Sequence, residues 1–310
     1  MKAIQFDEFG GPSVLRYADI ERPEAGDGQV LVKVAGSAFN PADAGIRAGA
    51  LPIPVRLPHT PGYDVSGIIE AVGTGVESFV VGDRVVGFLP MTETGAAAEY
   101  VVAPVNALVM APTSVALADA AALPSVALTA WQALFVEGHL ESGQRLLIVG
   151  AGGSVGAYAV QLAKRAGAYV MATASPRSRA AIEKAGADEI IDYTHTSVAD
   201  HLGGQVDVLL NLAPIERAEF VALVDVVRDG GVVVSTAAWM PAPGDEVRGV
   251  RGVVIYVQSD TAVLEQLVDL VDAGELTVDV SERLPLSALP EVHERAAAGT
   301  LRGKVIFEVS

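Results

Sequence analysis

Leu146-Leu147-Ile148-Val149-Gly150-Ala151-Gly152-Gly153-Ser154-Val155-Gly156 is the stretch that decides the fold. An apolar strand runs straight into a glycine-rich turn, and the pattern then predicts a helix over 154–166. Glycine lets the backbone turn tightly and approach a ligand. The N–H groups and positive end of the following helix then hold an anion. The spacing reads Gly150-x-x-Gly153-x-x-Gly156 with Gly152 added, which departs from the strict G-x-G-x-x-G. Its strand–turn–helix setting still predicts a dinucleotide site built by Gly150, Gly152, Gly153, Ser154, Val155 and Gly156. The plainer alternative is a glycine turn kept only for close packing.

Downstream of this turn, strands predicted at 169–174, 189–192, 206–210, 231–235 and 252–257 alternate with helices such as 176–185 and 216–227. Such alternation is the signature of an α/β, Rossmann-type doubly wound parallel sheet. Upstream, short strands at 30–34, 65–72, 80–87 and 99–102 are punctuated by Gly and Pro, which suggests a small barrel or rolled sheet. The character changes near Leu117, where 119–137 reads as a helix. After a last long helix over 261–273, short strands including 304–308 can rejoin the β-rich part. The expected domains are therefore 121–260, binding the nucleotide, and a discontinuous β-rich domain of 1–120 with 261–310.

The chain has 310 residues, 51% of them apolar and 19% charged, which fits about two folded domains. It contains no cysteine, so disulfides, a thiolate nucleophile and sulfur-ligated zinc are excluded. The net charge of −17 argues against nucleic acid or an anionic membrane as a partner. Met1 to Glu8 lacks the basic head and apolar stretch of a signal peptide. The uncharged runs 120–136 and 146–163 are interrupted by Pro124 and by the glycine turn, so both read as core elements. A cytoplasmic location is expected.

Cofactor choice turns on the end of the second strand of the nucleotide domain. An NAD site usually has Asp or Glu there, about 20 residues past the first glycine. This chain has Ala174-Ser175-Pro176-Arg177-Ser178-Arg179 instead. Between Ser142 and Ala181 there is no acidic residue, while Arg145, Lys164, Arg165, Arg177 and Arg179 give a local charge of +5. A 2′-phosphate needs cations and no opposing carboxylate, so NADPH is the expected cofactor, met by Ser175, Arg177 and Arg179. Ser175 also reads as a helix N-cap with Pro176 at the first helical position. The arginines alternatively form a solvated helix face.

Several motifs together resemble a known family. Phe9-Gly10-Gly11-Pro12-Ser13-Val14-Leu15, Asn40-Pro41-Ala42-Asp43 with Ile46-Arg47-Ala48-Gly49, and Pro61-Gly62-Tyr63-Asp64-Val65-Ser66-Gly67 come first. Val81-Gly82-Asp83-Arg84-Val85, 121–130 and Gly299-Thr300-Leu301-Arg302-Gly303-Lys304-Val305 follow. Over essentially its whole length the chain resembles the zinc-independent quinone oxidoreductases, the zeta-crystallin-like group of the medium-chain dehydrogenase/reductase superfamily. The resemblance implies a GroES-like, β-rich catalytic domain beside the Rossmann domain. Zinc-containing relatives place Cys and His where this chain has Asn40 and Tyr63, so no metal is expected. His59 stands alone, and His139, His195, His201 and His293 lack metal-ligand spacing; surface or helix-end roles are expected for these four.

The resemblance further implies hydride transfer from NADPH to quinones or to the C=C bond of α,β-unsaturated carbonyl compounds. Negative charge then builds on a carbonyl oxygen, and donors aimed at it stabilise it. By position Asn40 is the expected donor, Thr129 would position nicotinamide or substrate, and Tyr63 is a candidate proton donor. Tyr193 matches a tyrosine that flanks the adenosine phosphate. Gly45 and Leu51 replace tyrosines that line the quinone site in relatives, which implies a less aromatic pocket. A homodimer is implied as well, joined through an edge strand such as 252–257. The alternatives are a pathway-specific enoyl reductase and an NADPH-binding protein without catalysis. An RNA-binding role found in the family conflicts with the chain's charge.

Overall fold

The short strand expected at 30–34 widens, in the computed structural model of the chain, into a ten-residue strand, Gln29–Ala38, that organises the β-rich part. The structure describes residues 1–202, 204–237 and 240–309. They form two compact units, Met1–Ser125 with Ser259–Ser310, and Val126–Gln258.

In the first unit β1 (Lys2–Gln5) and β2 (Arg16–Asp19) pair antiparallel. β3 (Gln29–Ala38), α1 (Pro41–Arg47), β4 (Asp64–Val72), β5 (Arg84–Phe88), β6 (Tyr100–Pro104) and β7 (Leu108–Met110) follow. One edge of β3 pairs with β4 along its length. Register shifts between Leu31/Val32 and Val34/Gly36 bend it, as extra residues do in a ladder. Gly36 is required at the bend, because a Cβ there would lie 2.4 Å from the Ala118 carbonyl oxygen. The inward side chains Val30, Val32, Val34, Val65, Ile69, Val85, Val101 and Leu108 form one buried core.

The second unit contains α2 (Pro124–Trp131, which starts at the unit boundary), β8 (Arg145–Val149), α3 (Ser154–Arg165), β9 (Tyr169–Ala174) and α4 (Arg179–Ala185). β10 (Glu189–Asp192), α5 (Val198–His201), β11 (Val206–Asn211), α6 (Arg217–Ala222), β12 (Val227–Ser235) and β13 (Arg251–Val254) complete it. Among the described residues these strands make a parallel sheet in the order β10-β9-β8-β11-β12-β13. That is the Rossmann order, with its reversal between β8 and β11. Strand β8 is covered on both faces, which explains its uninterrupted apolar sequence.

The chain then returns to the first unit as α7 (Thr261–Asp272), β14 (Glu282–Pro285), α8 (Leu289–Ala297) and β15 (Val305–Glu308). β15 pairs antiparallel with Gly36–Ala38 of β3, on the edge whose other half, Gln29–Lys33, pairs with β6.

Some predicted boundaries move. The helix expected over 119–137 is a 3₁₀ turn (Asp119–Ala122), then α2, then a π-helical segment (Gln132–Glu137). Pro124 has no N–H to continue a preceding helix and opens a new one instead. This stretch has the length and composition to cross a membrane, yet 78% of its apolar window is buried within the protein. The helix predicted from Pro176 begins at Arg179, so Pro176 is not its first residue. Ser175 precedes a turn, its carbonyl accepting the N–H groups of Ser178 and Arg179 at 3.0 and 3.1 Å. The helix predicted over 216–227 ends as a 3₁₀ turn at Val226, and Val227 already belongs to β12.

Asp272 ends α7 and accepts the Thr113 N–H, the Ser114 N–H and the Thr113 hydroxyl at 2.8, 2.8 and 3.0 Å. The backbone N–H of Thr113 is the main reason its carboxyl is held down to about 2, from an ordinary 3.8. The resulting stabilisation is present above pH 3.8 and lost as pH falls through 2. Asp272→Ala is expected to lower stability by about 1 kcal/mol at neutral pH, solvent screening keeping the figure small. In urea titrations the gap between variant and wild type should close below pH 4.

Candidate cofactor and active-site regions

The glycine turn lies at the point where the strand order reverses. Gly150 follows β8 with φ of +85°, and its N–H donates to the Thr173 hydroxyl at 2.9 Å. A Cβ on Gly150 would lie 2.8 Å from the Ala213 Cβ, which follows β11. One on Gly156 would lie 2.3 Å from the Ala151 carbonyl oxygen, so α3 starts hard against the turn. Gly152 packs against Ser178, where a Cβ would come within 2.6 Å of that side chain. Gly153 differs, since a Cβ there would meet only the Gly150 oxygen at 3.7 Å. The fold does not need a glycine at 153, and the space above it suits close approach by a phosphate. Gly153 is the residue before α3, and Ser154, Val155 and Gly156 form the first turn of that helix, whose N–H groups lack intrahelical partners. These residues fit a dinucleotide's pyrophosphate.

The five cations counted in the sequence do not pool there. Arg145 begins β8, at the end of the strand away from the turn, and lies over the Tyr169 ring at 5.5 Å. Lys164 and Arg165 close α3, about 18 Å of helix from its start. Lys164 pairs with Asp188 at 2.7 Å. Only Arg177 and Arg179, flanking Ser178, adjoin the turn. Arg179 pairs with Glu183 at 2.9 Å, whereas exposed Arg177 makes no ion pair among the described residues. The expected +5 thus reduces, at the turn, to two cations, one of them engaged. Ser175 is half-buried, and its N–H donates to the Ser178 hydroxyl at 3.1 Å. Tyr193, 56% exposed, donates its N–H to the Ala174 carbonyl at 3.3 Å, which sets it beside the end of β9.

The first unit buries a polar cluster that the sequence reading did not foresee. Asn40 precedes α1, and its N–H donates to Asp43 Oδ2 at 2.8 Å. Asp43 Oδ1 accepts the Gly62 N–H at 2.9 Å. Burial pushes the Asp43 carboxyl up to about 7 despite those donors. The Asn40 side chain does not stand free as a donor. Its Nδ2 donates to Asp64 Oδ2 at 2.8 Å, and its Oδ1 accepts from Lys304 Nζ at 2.6 Å. Lys304 is 3% and Asp64 0% exposed, and they pair at 2.9 Å. Ser125 adds its N–H to Asp64 Oδ1 and its hydroxyl to Asp64 Oδ2, both at 2.7 Å. Asp64 and Lys304 lay inside recognised motifs; the signal was a charge beginning an otherwise apolar run in each case.

Two further expectations change. Tyr63, a candidate proton donor by resemblance, is 1% exposed, and its hydroxyl meets His59 Nε2 at 2.9 Å. Burial raises its pKa, which makes the phenol a poorer acid and gives it a packing role. Burial likewise holds His59 down to about 4. His293 is not a surface residue: it lies inside α8, 1% exposed, against the edge of Phe39. Its Nδ1 meets Nη1 of buried Arg47 at 2.9 Å, so Nδ1 accepts and the ring hydrogen sits on Nε2. Nε2 has no partner among the described residues. Thr129 lies half-buried on α2 in the second unit, whereas Asn40 belongs to the first.

A Rossmann unit with a phosphate-ready turn, and a barrel-like unit with a buried polar cluster, define a nucleotide-dependent dehydrogenase or reductase. Residues 26–113 match an alcohol dehydrogenase GroES-like domain, and 185–307 match a zinc-binding dehydrogenase domain. The chain is 32% identical to a chloroplastic quinone-oxidoreductase homolog from Spinacia oleracea, covering 99% of this chain and 98% of that one. It is 32% identical to the mitochondrial NAD(P)H oxidoreductase RTN4IP1 of Mus musculus, covering 100% and 89%. The quinone oxidoreductase structure from Coxiella burnetii superposes with a TM-score of 0.92 at 31% identity, covering 100% and 99%. The chain belongs to the quinone oxidoreductase, zeta-crystallin-like group of the medium-chain dehydrogenase/reductase superfamily and is an NAD(P)H-dependent oxidoreductase. The chain lacks Cys, and among the described residues there is no group of three or more His, Asp or Glu that could hold a metal ion.

Burial, aided by the Arg47 charge, holds His293 down to about 3, from an ordinary 6.5. The unfolded chain therefore takes up a proton first, and this contribution to stability is full above pH 6.5 and lost as pH falls toward 3. His293→Asn keeps an acceptor for Arg47 and removes the titrating ring. Between pH 6 and 4 its stability should depend on pH less steeply than the wild type's, by up to about 1.4 kcal/mol per unit. Denaturant midpoints across that range provide the measurement.

Proposed function

We propose that the protein is a metal-independent, NADPH-preferring reductase of quinones or of the C=C bond of α,β-unsaturated carbonyl compounds. The observation carrying the cofactor reading is the end of β9. Ala174 and Ser175 stand where a ribose-binding carboxylate would be, with exposed Arg177, which has no ion pair among the described residues, two residues on. A charge-assisted hydrogen bond to a 2′-phosphate contributes about 1.5–3 kcal/mol, or one to two decades of affinity. The substrate reading draws on relatives named quinone oxidoreductases.

The glycine turn and α3 would hold the pyrophosphate, Arg177 and Ser175 the 2′-phosphate, and Tyr193 the adenosine side. When bound, NADPH supplies a hydride equivalent to a carbon acceptor. The carbonyl oxygen of either acceptor class gains negative charge during reduction, and Asn40 Nδ2 has a hydrogen to offer it. Thr129 orients the nicotinamide or the acceptor. A homodimer through the exposed edge strand β13 belongs to the same proposal.

Two measurements test this reading. In fluorescence titrations NADPH should bind about 10–100-fold more tightly than NADH. Arg177→Ala should remove most of that preference and Arg179→Ala less, because Glu183 already engages Arg179. Equal wild-type affinities would sink the phosphate assignment. Absorbance at 340 nm, followed with a panel of quinones and enones, should fall with at least one acceptor. Tight NADPH binding without any reduction would favour the non-catalytic alternative, and turnover confined to one pathway-type enoyl substrate the specialised reductase.

A further inference from the structure

Lys304 Nζ has three hydrogens and three acceptors: Asn40 Oδ1 at 2.6 Å, Asp64 Oδ2 at 2.9 Å and the Phe39 carbonyl at 3.4 Å. Asp64 Oδ2 in turn accepts Asn40 Nδ2 at 2.8 Å. The ammonium and the carboxylate therefore grip opposite ends of one carboxamide. Turning the amide over would set Nδ2 against the ammonium and Oδ1 against the carboxylate, two repulsive contacts. The Ser125 hydroxyl has one proton for two acceptors, Asp64 Oδ2 at 2.7 Å and Asn40 Oδ1 at 3.0 Å. Lys304 is thus the donor that fixes Oδ1. Nδ2 carries two hydrogens; Asp64 takes one, and the other has no acceptor among the described residues. A cation on Oδ1 also polarises the amide, and polarisation strengthens its N–H as a donor.

We infer that Lys304, paired with Asp64, is a positioning residue for the reduction, orienting and polarising the Asn40 carboxamide so that its second Nδ2 hydrogen meets the acceptor's carbonyl oxygen. This rests on the reading of Asn40 given above. A pair kept only to tie the sheet together gains nothing from enclosing an amide, since Lys304 and Asp64 already touch.

A double-mutant cycle separates the possibilities. Asn40→Ala, Lys304→Met and the double variant are assayed in the full chain with NADPH and the best acceptor from the panel. Acceptor KM, kcat, NADPH affinity and thermal midpoint are recorded separately. Asn40→Ala should lower kcat about 100-fold. Lys304→Met should lower kcat about tenfold or more, with acceptor KM and NADPH affinity close to wild type. In the Asn40→Ala background Lys304→Met should lower kcat no further. Additive losses overturn the inference and leave Asn40 as the donor; an unchanged kcat in Asn40→Ala overturns that reading and the inference with it. Removing one partner of a buried pair is strongly destabilising, so a second measurement uses the wild type. With asparagine side chains labelled by nitrogen-15, the Asn40 signals are separated from those of Asn106 and Asn211. One Asn40 amide hydrogen should resist exchange, and the other should shift when a non-reducible acceptor analogue binds. Equal exchange of both hydrogens, or no shift, counts against the inference.

Discussion

The ion pair between Lys304 and Asp64 is the constraint on which the first unit depends. Each ion costs several kcal/mol to bury, and removing one partner typically costs about 3–5 kcal/mol because the other is left uncompensated. Their contacts join the segment before β15, the start of β4, the residue before α1 and the first turn of α2. These are points up to 264 residues apart in the chain. The return of the C-terminal strand to β3 is thereby coupled to the polar loop at Asn40. Apolar residues of the same volume often hold such a site at least as firmly. The presence of charge there accords with a demand for orientation in addition to stability.

In the second unit the governing constraint is steric. Gly150 and Gly156 are fixed by backbone and side-chain approaches below 3 Å, whereas the space over Gly153 stays open to a ligand. The protein's own packing thus shapes the turn, and electrostatics then acts on a site already formed. Charge number alone misdescribes that site. Arg145, Lys164 and Arg165 belong to the far ends of β8 and α3, and Arg179 spends part of its charge on Glu183. Arg177 is left as the cation with the clearest claim on a phosphate.

Much of the nucleotide unit was legible in the chain because its signals are local. β9 and β10 have the predicted limits, and β8 is the expected apolar strand leading into the turn, since an interior strand buried on both faces reads as a nearly unbroken apolar run. Helix limits were less legible. Pro124, which lacks an N–H, splits one helix, and the turn over Pro176–Ser178 delays another, because the hydrogen bonds closing that turn between Ser175 and Ser178 depend on geometry that composition does not encode. The histidines show the same limit: His293 has a polar sequence neighbourhood but turns inward to Arg47.

The sequence by itself determined the two-part α/β architecture, the glycine turn, the family and the exclusion of thiol chemistry. The architecture and the turn follow from residue type, spacing or periodicity within short windows; the family comes from the resemblance of several motifs along the chain, and the exclusion from the lack of any cysteine. Only the tertiary structure decided that Asn40 is held at both ends, that Tyr63 is a buried partner of His59, and that the cations are dispersed. A buried hydrogen bond between residues such as 40 and 304 leaves no periodic trace in the chain. It exists because desolvated charges must find partners wherever the folded backbone brings them.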